Sequence, residues 1–268
     1  MNTYKIECNL HYQIIQPTDF IFLIQVAHHP QQVIVAEQLD FNAVVKWHSY
    51  QDATHQNRHL RLHAPVSDSF QLTYHATVEL APAASVASLE SLQEVSIADL
   101  PHEVLPYLLS SRYCDAERIA EMANRSFGWM TPGYTRVQAI EQWIYNNIFY
   151  VSGSSNAQTT STDVLVERAG VCRDFAHLGI ALCRALGIPA RMVVGYVSIK
   201  KFLPDFHAIF EVYLDGGWVL FDPTRLASVH KLVRIATGVD AGDVAFATYY
   251  GEVTLLNITP LITEYAAP

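Results

Sequence analysis

The stretch that most constrains this chain is "ERAGVCRDFAHLGIALCRALGIPAR", residues 167–191. Cys172 stands two residues after Gly170, where an amphipathic helix pattern begins; Gly187 and then Pro189 close it, the usual stop signal of a helix. Cys172, Phe175, Ala176, Gly179, Ile180 and Cys183 fall at i, i+3, i+4, i+7, i+8 and i+11, one face of a 3.6-residue period. Such a helix must be largely buried. A thiol at its N-terminus feels the positive end of the dipole, which favours thiolate.

The flanking segments supply the rest of a domain. "TRVQAIEQWIYNNIFY" is helical by its apolar spacing at Val137, Ile140 and Ile144. "VSGSSNAQTTSTD" reads as an exposed loop, and Asp163 is the expected cap of a short helix "VLVERA". After the cysteine helix, "ARMVVGYV" reads as a core strand, and "FHAIFEVYL" and "GWVLFDPT" as a hairpin across Asp215-Gly216, a pair that favours a type I′ turn. The tail after Ala241 mixes aromatic and β-branched residues and is placed on the same sheet. Upstream, "YKIECNLHYQI", "DFIFLIQVAHH", "QQVIVAEQLDFN" and "FQLTYHATVEL" are strands separated by turn-prone clusters. The reading is therefore two domains: an all-β sandwich-like module over 1–97 and an α+β domain over 98–268, with "APAASVASLESLQEV" as connector.

A nucleophilic cysteine needs a base and a group that orients the base. If Asp215-Gly216 is a two-residue loop, Leu214 lies opposite Gly217 and Ile209 opposite Asp222. His207 then shares a sheet face with Asp222, diagonal to it and within imidazole–carboxylate reach. The roles follow: Cys172 as nucleophile, His207 as general base and later acid, Asp222 as orienter. The Cys172 backbone N–H, unsatisfied at a helix start, is available to an oxyanion.

These residues closely resemble the transglutaminase-like superfamily of papain-fold cysteine enzymes, over about residues 135–225. The cysteine within GVC, the "LCRALGIPAR" helix end, the strand histidine and the Asp-Pro pair appear in the family's order. The resemblance implies a papain-like transglutaminase core behind an N-terminal β-module, with a Cys-His-Asp triad at Cys172, His207 and Asp222. It implies thiol acyl chemistry on a peptide or protein substrate, without a cofactor or metal. Two departures from the animal branch stand out. Arg173 replaces the tryptophan that follows the cysteine there, and no acidic cluster argues for calcium. Tyr150 and Trp143 are the two candidates for a side-chain oxyanion donor. Hydrolysis is expected ahead of cross-linking, because a cross-linker must keep water from the acyl-enzyme and no segment identifies an amine tunnel. A fold that kept the architecture and lost the chemistry, serving as a binding module, is the competing class.

Other candidates read as structural. Cys183 lies about 16 Å along the helix from Cys172 and is core, as are Cys8 and Cys114. His177, at i+5, points around the helix from the thiol. Asp174 in the first turn suits the dipole. His59 and His63 form an i, i+4 pair on a strand but lack further metal ligands. The four cysteines form no CxxC, which suits a reducing compartment. A net charge of −9 argues against a nucleic-acid partner. No apolar run is long enough to span a bilayer, and the N-terminus lacks the pattern of a signal peptide. The expectation is a cytoplasmic protein with no membrane association.

Overall fold

The computed structural model describes residues 2–199 and 204–265. Its first strands are β1 (Asn2–Ile14), β2 (Thr18–Phe22), β3 (Gln32–Phe41), β4 (Lys46–Gln51), β5 (Arg58–Ala64) and β6 (Ser67–Leu80). Burial alternates along β1 and β6, so every second side chain enters one core. Tyr12 on β1 meets Phe20 on β2 at 5.2 Å between ring centroids, and Phe20 meets Phe70 on β6 at 6.2 Å. These rings pack two sheets face to face, as in a sandwich.

The connector carries α1 (Val86–Glu90). Its Glu94 receives both Nε and Nη2 of Arg136, and its Gln93 N–H bonds Asp215 at 2.9 Å. Then come α2 (Ala116–Phe127), α3 (Tyr134–Asn147), β7 (Phe149–Tyr150), α4 (Ser161–Glu167), β8 (Ala169–Gly170), α5 (Cys172–Ala185), β9 (Ala190–Tyr196), β10 (His207–Leu214), β11 (Gly217–Phe221) and β12 (Val233–Gly238). The last four form an antiparallel sheet in the order β11-β10-β9-β12. Helix α5 lies on it, flanked by α2, α3 and α4.

Two residues of the cysteine helix explain its fit. A Cβ on Gly179 would sit 2.6 Å from the Phe210 ring, so only glycine lets α5 approach β10 this closely. Arg184, buried, donates to the carbonyls of Ala190, Leu109 and Val239 and to Ser111 Oγ. It thereby ties the helix end to three separate segments. Gly187 takes φ +76°, and the Ile188 N–H returns to the Cys183 carbonyl at 3.0 Å, the bond that closes a Schellman turn.

The hairpin register is the expected one, from Leu214 opposite Gly217 to Phe210 opposite Phe221. Asp215 (φ 43°) and Gly216 (φ 83°) both have positive φ, as a type I′ turn requires. Two expectations need correction. The short helix begins at Ser161, and its N-cap is Thr160. Asp163 is the reciprocal partner, accepting from the Thr160 N–H at 2.9 Å, because a Thr-x-x-Asp box satisfies two backbone donors at once.

The larger correction concerns the C-terminal tail. β13 (Ala247–Tyr250) and β14 (Val253–Tyr265) do not join the β9–β12 sheet. They pair with β2 and β1, giving the orders β13-β2-β5-β4 and β14-β1-β6-β3. The two sheets begun by residues 2–80 thus also take in strands from residues 247–265. Strand patterning states that a segment will pair and bury one face, but not with which partner. The sandwich also bonds the β12 edge of the second sheet. Ala27 N–H donates to the Arg234 carbonyl at 2.9 Å, and Asn57 exchanges two bonds with Thr237 at 2.8 and 2.9 Å.

Candidate active site

Cys172 is the first residue of α5. Its position is set by the residues around it. Asp174, fully buried, folds back to accept the Val171 N–H at 2.8 Å. A Cβ on Gly170 would lie 2.7 Å from that of Asp174, which accounts for the glycine in GVC. Arg173, in place of an aromatic residue, reaches the Asn156 carbonyl at 2.8 Å and Ser155 Oγ at 3.3 Å. It pins the polar loop beside the cysteine.

His207 opens β10 and is 1% exposed; Asp222 follows β11 and is 3% exposed. His207 Nε2 lies 2.8 Å from Asp222 Oδ2. The other Asp222 oxygen accepts from the Thr224 N–H (3.0 Å) and hydroxyl (2.7 Å). Asp222 therefore both caps its turn and holds the imidazole. With Nε2 engaged, Nδ1 is the ring nitrogen left for the thiol, and it has no nitrogen or oxygen partner among the described residues. Burial pulls the His207 pKa down, but the Asp222 hydrogen bond and the Cys172 thiol outweigh it and push it up to about 10. All three residues expected at the site are thus brought together.

Cys172 is half-buried and lines a cleft of about 540 Å³ with Tyr150, Asp205 and Leu255–Ile258. The other three cysteines are sealed. Burial pushes the Cys8 and Cys114 thiols up to about 12, and Cys183 up as well.

Of the two suggested oxyanion donors, Tyr150 is at the site and Trp143 is not. Parallel pairing of β7 with β8 sets Tyr150 against Gly170, two residues before the thiol. Burial and the Cys172 thiol raise the Tyr150 pKa, while a hydrogen bond from the Cys172 main chain opposes them. Trp143 instead packs edge-on to Phe127 at 6.4 Å and beneath Arg168.

His177 is structural in this geometry. It is buried, stacked on Tyr113 at 5.1 Å, and accepts the Ala241 N–H at 3.2 Å. Burial pushes it down to about 4, so it stays neutral. His59 and His63 face Asp52 (3.3 Å) and Asp19 (3.0 Å).

Two supporting residues escaped the sequence reading. Glu141 on α3 accepts the Asp222 N–H at 2.9 Å; a single acidic residue between Ile140 and Ile144 gives no local signal of that contact. Thr224 had a local signal that would have found it, since Asp-Pro-Thr predicts an Asx turn onto the residue two places on.

Comparison with known proteins agrees with this architecture. Residues 120–223 match the model of the transglutaminase-like superfamily core, and residues 2–103 that of the bacterial transglutaminase N-terminal domain. A crystal structure of a candidate cysteine protease from Cytophaga hutchinsonii is 40% identical. It superposes with a TM-score of 0.91, over 100% of this chain and 92% of that one. An uncharacterised Mycobacterium leprae protein is 29% identical over 178 residues, 63% of this chain and 62% of its own. An uncharacterised Mycobacterium bovis protein is 38% identical over 82 residues, 31% of this chain and 26% of its own. The chain thus spans less than two thirds of the length of these two mycobacterial relatives. With its α+β papain-like core, its β-module and its cysteine-bearing cleft, the chain belongs to the transglutaminase-like superfamily.

Proposed function

We propose that this protein is a cysteine hydrolase of peptide or amide bonds, acting through a thioester on a peptide or protein substrate. The observation that carries the reading is the His207 geometry: Nε2 is held by Asp222 and Nδ1 is left to a half-exposed Cys172 in a cleft. A structural thiol has no use for a sealed imidazole–carboxylate pair beside it.

In this reading Cys172 Sγ, its proton on His207, attacks the substrate carbonyl carbon. The developing oxyanion accepts from the Tyr150 phenol and from the Cys172 N–H, which turns to it from the phenol oxygen it otherwise bonds. His207 then gives its proton to the departing nitrogen, the C–N bond breaks, and a thioester remains. Water attacks that thioester as His207 takes its proton. The C–S bond breaks, releasing a carboxylic acid and restoring the thiol. Asp222 keeps the ring in place throughout, as the orienting acid of a triad does. Water is the acceptor retained in this reading, since no segment of the sequence identifies an amine tunnel. The four free thiols suit the cytoplasm, the location we retain for it.

The test is incubation with a library of glutamine-containing peptides plus a primary amine, read by mass spectrometry. Carboxylate products that vanish in Cys172→Ala support hydrolysis. Amine adducts alone would make it a transferase, and no product from any peptide would leave a binding module.

A further inference from the structure

Strand β14 ends its sheet, with β1 on one side and, among the described residues, no strand on the other. Four consecutive β14 residues, Leu255 to Ile258, line the cleft that holds Cys172. Ile262, Thr263 and Glu264 line a neighbouring cleft of about 1000 Å³. Successive side chains of a strand point to opposite faces. A bulge at Leu256, between the Asn257–His11 and Leu255–Tyr12 pairs, breaks that alternation and turns consecutive residues toward one cleft. Tyr150, beside Cys172, borders both clefts.

Pro260 shows which main-chain groups the edge presents. It lies opposite Cys8 in the β1 pairing. Having no N–H, proline occupies the side of an edge strand that faces away from its neighbour. By alternation Ile258, Ile262 and Glu264 turn their N–H and C=O groups the same way. Among the described residues no backbone group of another element bonds them. Leu255 (42% exposed) and Leu256 (49%) add apolar surface at the mouth of the Cys172 cleft.

We propose that the free edge of β14 is the docking strand for substrate: an extended polypeptide segment pairs with Ile258 and Ile262 and lays its scissile bond across Cys172. This proposal rests on the cysteine-hydrolase reading and adds a substrate class to it, extended main chain rather than a folded surface or an isolated small amide. Main-chain pairing supplies affinity independent of side-chain identity, as in strand addition elsewhere. Pro260, itself buried, interrupts the row of donors, which blunts permanent pairing with another chain.

The experiment uses wild-type protein and three probes: iodoacetamide, acetyl-alanine chloromethyl ketone, and acetyl-pentaalanine chloromethyl ketone. The pentapeptide is also made with single backbone N-methyl groups and with one diazirine-bearing residue. The pentapeptide should alkylate Cys172 at least about tenfold faster than the single residue, since several backbone hydrogen bonds are added. N-methylation should cut that rate at alternate amides only, and the diazirine should cross-link to residues 255–264. Equal rates for the two ketones, no alternation, or cross-links confined to other segments would each overturn the docking strand while rapid iodoacetamide labelling left the thiol reading intact. Failure of iodoacetamide itself to label Cys172 in the folded protein would remove both.

Discussion

The Asp222 backbone N–H donates to Glu141 Oε1 at 2.9 Å, so the carboxylate that holds His207 is itself hung from α3. Burial, partly offset by that hydrogen bond and by Arg225, pushes the Glu141 carboxyl up from 4.5 to about 7. The native state then binds a proton that the unfolded chain has lost. The stability gained is full below pH 4.5 and drains away as pH rises through about 7. Glu141→Gln keeps an acceptor for Asp222 and cannot ionise. The wild type should lose up to about 3 kcal/mol relative to this variant between those pH values. Melting temperatures across the range check it, and parallel curves would refute the titration.

His207 follows the same sign over a more alkaline window. Its pKa is raised from 6.5 to about 10, so its stabilisation is complete below pH 6.5 and is lost as pH climbs through 10. Asp222→Asn keeps the Oδ1 acceptor for Thr224 but loses the negative charge. It should cost about 3–5 kcal/mol at pH 6 and progressively less toward pH 10. Urea titrations at three pH values read the difference, and a cost independent of pH would place it in the turn instead.

Iodoacetamide at pH 6.5 should modify Cys172 and leave Cys8, Cys114 and Cys183 untouched until the chain unfolds, since burial seals those three. His207→Ala should slow Cys172 labelling by about tenfold or more, because the imidazole no longer takes the proton. Site-resolved mass spectrometry distinguishes the four thiols, and an unchanged rate in the variant would break the proposed pair.

Tyr150→Phe retains the ring contact with Phe175, 5.9 Å between centroids, and removes only the hydroxyl. Loss of one oxyanion donor lowers kcat by about 10²-fold. The expected signature is a fall in kcat with little change in KM on whichever substrate the library yields. An intact kcat would assign the phenol to packing.

Gly179→Ala should destabilise the fold although alanine is the better helix former. The gain of about 1 kcal/mol in propensity is set against a Cβ 2.6 Å from Phe210, an overpacking that costs about 1–3 kcal/mol. A net loss of up to about 2 kcal/mol, seen as a lower Tm, is the expected result, and a rise in Tm would show that the ring can yield.

The legible parts of this molecule were those governed by local rules. Gly187 marked a helix end, Asp215-Gly216 set a turn, and the turn fixed the parity that puts His207 and Asp222 on one face. What escaped depended on contacts distant in sequence. Glu141 reaches Asp222 across 81 positions, and Thr259 pairs with Asn9 from the far end of the chain. Periodicity reports which face of a segment is apolar and is silent on what covers it. Tyr150 lay between these cases: its residue type made it a candidate, but only the short ladder to Gly170 told it apart from Trp143.

The return of β14 to β1 also fixes an order of assembly. A ribosome releases residues 2–80 first, yet their outer sheet lacks its last strand until residues 253–265 have emerged. Pairing across so large a sequence separation is slow, because the intervening loop must close before the contacts reward it. Cys172, His207 and Asp222 are all synthesised earlier, but the wall of the cleft made by Leu255–Ile258 is not. A nascent chain therefore carries the thiol and its partners without the enclosure that would bring a substrate to them.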